Sequence, residues 1–196
     1  MTYPIIKIPT FANKSFFEFS KEEAKEYFQW FLSIKGERIS TLEFYVQQSY
    51  ITWEANYTKE SLKGLYQWLN KSVAYRKLTE IEKKEVENQI SVTPQYLNVI
   101  PMPDTTFTPE TVSICFDAGL YFGETLIFNV PSLKWLQKLN SKNFIDYAQP
   151  LIGKKESKVP INPRRIAESI AQRILDKDPP ITFEMLYEKW SNKFSF

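Results

Sequence analysis

Thr108-Pro109-Glu110-Thr111-Val112-Ser113-Ile114-Cys115-Phe116-Asp117-Ala118-Gly119-Leu120-Tyr121-Phe122-Gly123-Glu124-Thr125-Leu126-Ile127-Phe128-Asn129 opens with a strong helix-start signal. Thr108 can cap, Pro109 suits the first helical position because its missing N–H would be unbonded there, and Glu110 complements the dipole. Pro131 then stops the helix. Because a step of seven residues drifts only about 20° around a helix, Glu110, Ile114, Asp117, Tyr121, Glu124 and Phe128 fall within a stripe of roughly 60°. The rest of the surface carries Val112, Cys115, Phe116, Leu120, Phe122, Leu126 and Ile127. A helix apolar almost all round belongs inside a domain. It does not read as a membrane span, since Asp117 and Glu124 would both sit in hydrocarbon. Gly119 and Gly123, four apart, expose backbone where another element can approach closely, and each costs about 1 kcal/mol relative to Ala in a helix interior.

Working outward toward the C-terminus, Lys134–Leu139 and Phe144–Ile152 have strand-like composition and flank Asn140-Ser141-Lys142-Asn143, which predicts a small antiparallel hairpin. Asn162-Pro163 starts a helix to about Asp176, and Thr182 starts a last one ending near Trp190. Toward the N-terminus, Tyr3 to Phe19 holds Pro4 and Pro9 and reads as an irregular arm. Ser20-Lys21-Glu22-Glu23 is a capping box, followed by Ala24, Tyr27, Phe28, Phe31 and Leu32 at helical spacing until Gly36. A second helix is expected from Glu37 to about Tyr50. Thr58 caps a third, with Leu62, Leu65, Tyr66 and Leu69 inward, and Thr79-Glu80-Ile81-Glu82 opens a charged, exposed fourth to about Ile90. Pro94, Pro101, Pro103 and Pro109 make residues 92–108 a long connection. The fold class expected is α+β: one mainly helical domain over residues 1–196, with a short antiparallel sheet in the C-terminal half and a seam at 92–108.

Composition excludes much chemistry. The chain has no histidine and one cysteine, Cys115. Ser-His-Asp and Cys-His nucleophilic sites, a structural zinc site and a histidine pH switch therefore cannot be assembled. A lone cysteine forbids an intramolecular disulfide, and Met1 to Phe11 lacks the apolar core of a secretory signal, so a cytoplasmic location is expected. The formal charge of +2 is too small to imply nucleic-acid binding or an anionic membrane partner. With five glycines and no Gly-rich loop, no nucleotide cofactor is implied, and no other cofactor or metal either. What the chain does have is 15 phenylalanines, 11 tyrosines and five tryptophans, which supply both core and interface area.

The candidate catalytic residues are Asp117 and Glu124, with Tyr121 between them. Their separation along the helix is about 10 Å, too far to share a proton, so only a water-spanning arrangement such as inverting hydrolysis fits. The structural alternative has both carboxylates satisfied inside the fold, merely fixing the register of a central helix. Arg164 and Arg165, in the basic stretch from Gly153 to Arg173, are the cations expected to meet them. Exposure discriminates the two. The candidate binding residues are Trp53, Tyr57, Arg164 and Arg165, the first two in the aromatic connection from Tyr50 to Tyr57, the kind of loop on which recognition is placed. Trp30, Trp68, Trp135 and Trp190 read as core. Lys154-Lys155-Glu156-Ser157-Lys158 reads as a solvated loop tip, and Cys115 as an inert buried thiol.

The pattern Asp117-x-Gly119-x-Tyr121-x-Gly123-Glu124, followed by Trp135 and by Tyr147-Ala148-Gln149-Pro150, resembles that of a family of small uncharacterised bacterial cytoplasmic proteins, some of whose relatives look like immunity proteins. The resemblance spans roughly residues 108 to 165. It implies a bacterial protein whose work is binding another protein. The leading expectation is therefore a non-catalytic protein-binding module of immunity type. The rivals are a carboxylate-dependent hydrolase using Asp117 and Glu124, and a structural subunit of a larger assembly.

Overall fold

Ser20 opens the first helix as its sequence implies: its hydroxyl accepts from the Glu23 amide while the Glu23 carboxylate accepts from the Ser20 amide. In the computed structural model, which describes residues 2–91, 103–154 and 159–195, this helix, α1 (Lys21–Gln47), runs straight through Gly36. The separate helix expected from Glu37 is its second half. A glycine in a helix interior costs only about 1 kcal/mol. That is outweighed by a continuous buried face of Ala24, Tyr27, Phe31, Ile39, Leu42 and Val46 on both sides of the glycine.

Thr58 caps α2 (Lys59–Ser72), and α3 (Glu80–Ser91) follows Thr79, whose hydroxyl accepts from the Glu82 amide. Between them lies a strand absent from the sequence expectation, β1 (Tyr75–Lys77), paired antiparallel with β2 (Thr105–Phe107). Three residues are too few for alternation to register. The stacking of Tyr75 on Phe107, ring centroids 5.5 Å apart, staples this sheet across the two sides of the expected seam. Residues 92–102 of that seam, with Pro94 and Pro101, lie outside the described residues.

Next comes α4 (Pro109–Asn129), capped by Thr108 as expected, then β3 (Lys134–Leu136) and β4 (Leu151–Gly153), paired antiparallel with Trp135 opposite Ile152. The C-terminal sheet is present, but its strands are shorter than the expected runs and no tight turn joins them. The chain from Gln137 to Pro150 instead folds inward, placing Tyr147 and Ala148 in a small apolar cluster with Ala12, Phe19, Ala24 and Tyr27. Ala148 adopts a left-handed φ of 60°, and its carbonyl accepts from the Gln137 amide at 2.7 Å. The remaining helices are α5 (Pro163–Leu175), capped by Asn162, and α6 (Phe183–Ser195), which continues past Trp190 and buries Phe194.

α4 is buried on nearly every side and packs against α5, α1, α6 and α2. Its glycines are contact points. A Cβ on Gly119 would lie 2.7 Å from the Pro163 carbonyl oxygen and 2.8 Å from Arg164 Cα, and one on Gly123 would lie 2.6 Å from the Trp135 ring and 2.7 Å from Ile152. Removing those two side chains is what lets α5 and the β3–β4 sheet seat on α4. Among the described residues α4 is the helix long and apolar enough to cross a membrane, and most of it is enclosed by the rest of the fold.

Candidate functional site

Three polar knots lie along the α4 stripe. At the first, Asp117 is 0 % exposed, and Arg38 of α1 grips it in a fork, Nε to Oδ1 at 2.8 Å and Nη2 to Oδ2 at 2.6 Å. The Tyr3 hydroxyl donates to Oδ2 at 2.5 Å, bringing the N-terminal arm onto the same group. Burial pushes the Asp117 carboxyl up, to about 6, against the pull of the Arg38 guanidinium and the Tyr3 hydroxyl. Burial alone would lower Arg38, yet its hydrogen bond to Asp117 and that carboxylate's charge hold it above its ordinary value.

One helical turn on, the Tyr121 hydroxyl accepts from the Tyr57 amide at 2.9 Å and lies 2.6 Å from Ser61 Oγ. Ser61 Oγ already donates to the Thr58 carbonyl at 2.7 Å, so Tyr121 is the donor to Ser61, and its hydroxyl proton is committed. At the third knot, Glu124 Oε1 accepts from Lys35 Nζ and from Trp135 Nε1, each at 2.5 Å. The three residues expected to carry catalysis thus face three different sets of internal partners.

Arg164 and Arg165 do not meet these acids. Arg164 Nε donates to Glu168 Oε1 at 2.8 Å, one turn along its own helix, and Arg165 donates to Asp146 at 2.9 Å, where the Asn162 amide also donates. A carboxylate one turn along the same helix or on the adjoining loop is nearer than those of α4's inner stripe. The sequence reading missed Arg38, Lys35 and Tyr3. Had α1 been read as unbroken, Arg38 would have fallen on the Ala24, Tyr27, Phe31, Leu42 face, a cation inside an apolar stripe that demands a buried anion. Nothing local marks Tyr3, whose contact spans 114 positions.

Trp53 also departs from expectation. It is 7 % exposed, its indole nitrogen donates to the Ser61 carbonyl at 2.9 Å, and its ring fills the space left by Gly64. The connection that was expected to display it turns it inward, because α2 presents a glycine there. Tyr57 is half-buried, held at a left-handed φ of 58°, with its ring stacked on Tyr121 and on exposed Phe128. Trp68 is core, and Trp30, Trp135 and Trp190 pack against it. Cys115 is fully buried, and burial raises its thiol to about 12. Residues 155–158 of the basic run lie outside the described residues. Among the described residues no three carboxylates or thiols converge as metal ligands would.

Open apolar surface lies elsewhere. A groove of about 380 Å³ runs between α5 and α6, walled by Ile166, Ile170, Ile181, Leu186 and Trp190, with Arg165 and Arg173 along it. Ile145, Val159 and Met185, the chain neighbours of lining residues Asp146, Pro160 and Leu186, are each more than half exposed. Compared with models of known families, with curated proteins and with solved structures, the chain matches none of them.

Proposed function

We propose that this chain is a non-catalytic protein-binding module, acting in the bacterial cytoplasm in the manner of an immunity protein, and that it takes its partner on the α5–α6 groove. The observation that carries the reading is the concentration of exposed Ile145, Val159 and Met185 beside an open, apolar, arginine-edged groove. Soluble chains rarely leave contiguous apolar surface uncovered without an interaction behind it. The partner chemistry that fits is a predominantly apolar segment laid on the aliphatic wall, since Arg165 and Arg173 are already matched by Asp146 and Asp178. Supporting the same reading, Asp117 and Tyr121 spend their hydrogen-bonding capacity inside the fold and Glu124 is tied to Lys35 and Trp135, which disfavours the hydrolase reading.

The test is capture from a bacterial lysate followed by titration with the captured protein. A Val159→Asp/Met185→Asp double variant is expected to lose at least tenfold in affinity, as when a central apolar anchor is replaced. Phe44→Asp, on the exposed surface of α1, serves as the control and is expected to bind normally. Equal binding by wild type and the double variant would overturn the groove assignment. A measurable turnover abolished by Asp117→Asn in a folded protein would overturn the non-catalytic reading.

A further inference from the structure

A second recess, of about 330 Å³, opens between the N-terminal arm, β2 and the first turns of α4 and α5. Its walls are aliphatic and aromatic: Ile5, Ile6 and Ile8 from the arm, Phe107 from β2, Val112 and Phe116 from α4. Five polar side chains line it, Tyr27, Arg76, Thr106, Ser113 and Arg164, and two of them are spent. Arg76 is forked onto Glu82 at 2.8 and 2.5 Å, and Ser113 Oγ donates to the Pro109 carbonyl while accepting from the Ile6 amide.

Tyr27 and Arg164 are not. Arg164 uses only its Nε–H, toward Glu168, which leaves both terminal amino groups without a hydrogen-bond partner among the described residues. Its side chain sits among α1, α4 and α5 yet keeps 36 % of its surface accessible, as expected for a group on the wall of a recess. Tyr27 is only 3 % exposed, and its hydroxyl has no hydrogen-bond partner among the described residues. Burial raises that phenol to about 12, the Arg164 charge acts on it in the opposite direction, and both groups line the same recess. Tyr27, Phe116 and Arg164 also line a void of about 20 Å³. A hydroxyl and a guanidinium with free N–H groups on the same wall present the donors that a carboxylate accepts from.

We infer that this recess is a binding site for an amphipathic monocarboxylate, with the carboxylate taken by Arg164 and the Tyr27 hydroxyl and an acyl or aryl tail laid along Ile5, Ile8, Phe107 and Phe116. Glu82 matches Arg76, and Glu168 matches Arg164 through its Nε–H, so what the site offers a carboxylate is the free terminal N–H groups of Arg164 and the Tyr27 hydroxyl, and a phosphate dianion would bring a larger unmatched charge among apolar walls. The volume is that of a small-molecule site, and apolar walls around a few convergent polar groups are the usual composition of one. This assignment is independent of any partner on the α5–α6 groove.

Calorimetric titration of the full chain with octanoate tests it, with octanol and octylamine as controls of equal tail length. Octanoate is expected to bind, octanol to bind about tenfold more weakly or worse, as fits the loss of charge-assisted hydrogen bonds, and octylamine not at all. Arg164→Gln is expected to weaken octanoate about tenfold, and Tyr27→Phe several-fold, with unchanged circular dichroism. Ile8→Asp, a substitution at a surface-exposed wall position that leaves the core untouched, is expected to abolish binding by repulsion. Absence of heat with millimolar octanoate, equal affinity for octanol, or unchanged affinity in both Arg164→Gln and Ile8→Asp would each overturn the assignment.

Discussion

α1 and α4 each carry a glycine and charged residues near the middle, and the two helices use them in opposite ways. In α4, Gly119 is a gap into which α5 fits, and Asp117 is a charge held away from water. In α1, a Cβ on Gly36 would meet nothing within 4 Å, and most charges face solvent. Among those that do not, Arg38 and Lys35 cross to Asp117 and Glu124 and tie the two helices together. A glycine or a charge therefore has no fixed structural meaning; its neighbours in space assign one. The polar stripe of α4 works as a row of fasteners that sets the register of the arm, α1, α2 and the β3–β4 sheet upon a helix whose apolar faces alone would slide.

The strongest test of that view removes the α1 side of the first fastener. Arg38→Met is expected to cost about 3–5 kcal/mol, because it leaves the Asp117 carboxylate buried without its cation. Restoring balance in Arg38→Met/Asp117→Leu should recover much of the loss. The cost should also depend on pH, in a defined direction. Burial already holds the folded-state Asp117 carboxyl at about 6, above the ordinary 3.8, and losing Arg38 removes the main opposing influence and moves it higher. The folded variant then keeps a proton that the unfolded chain releases. Stability is accordingly retained below about pH 4 and falls as pH rises through 6 and beyond. Urea midpoints of wild type and variant across that range measure it, and a deficit independent of pH would mean that the Arg38–Asp117 pair is not buried in solution.

Much of this architecture was legible because it is local. The capping boxes at Ser20 and Thr79, the Thr108-Pro109 and Asn162-Pro163 starts, and the all-apolar surface of α4 each operate within one or two turns, and each gave the element found. What failed was whatever depends on a distant partner. Gly36 looked like a helix end because its local cost was weighed without the buried stripe on both sides of it. β1 and β2 are three residues each and exist through pairing across the 92–102 segment. Arg164 and Arg165 were reasonable partners for Asp117 by charge count, but each found a carboxylate nearer along the chain, and the cations that reach α4 come from a helix some 80 to 90 positions earlier. Trp53 turned inward to fill the gap at Gly64, which composition alone does not reveal.

The glycines sharpen the contrast, starting with the one that is a contact. Gly119→Ala places its methyl 2.7 Å from the Pro163 carbonyl oxygen and 2.8 Å from Arg164 Cα, and both obstacles are backbone. A flexible side chain would swing aside; a helix start capped by Asn162 must move as a unit. The expected cost is about 1–3 kcal/mol, the usual penalty for overpacking, and it exceeds the propensity gained. An unchanged denaturation midpoint would show that α5 sits further from α4 than the fold described here requires.

Gly36→Ala should do the reverse, by a smaller amount. Its position lies inside α1, is exposed, has helical backbone, and offers open space where the methyl would go. No native contact is lost, so the effect comes from two sources: the unfolded chain has fewer conformations to surrender, and the helical backbone gains the best helix former. Together they are expected to stabilise the protein by about 0.5–1 kcal/mol, read as a raised urea midpoint at constant slope. The sign is what matters for the comparison. If α1 were two helices meeting at Gly36, as the local sequence alone implies, alanine there would sit at a helix end that favours a left-handed glycine, and the substitution would destabilise. A gain means one continuous helix that carries both Arg38 and Lys35 to α4, and a loss means that the break read from the sequence exists in solution.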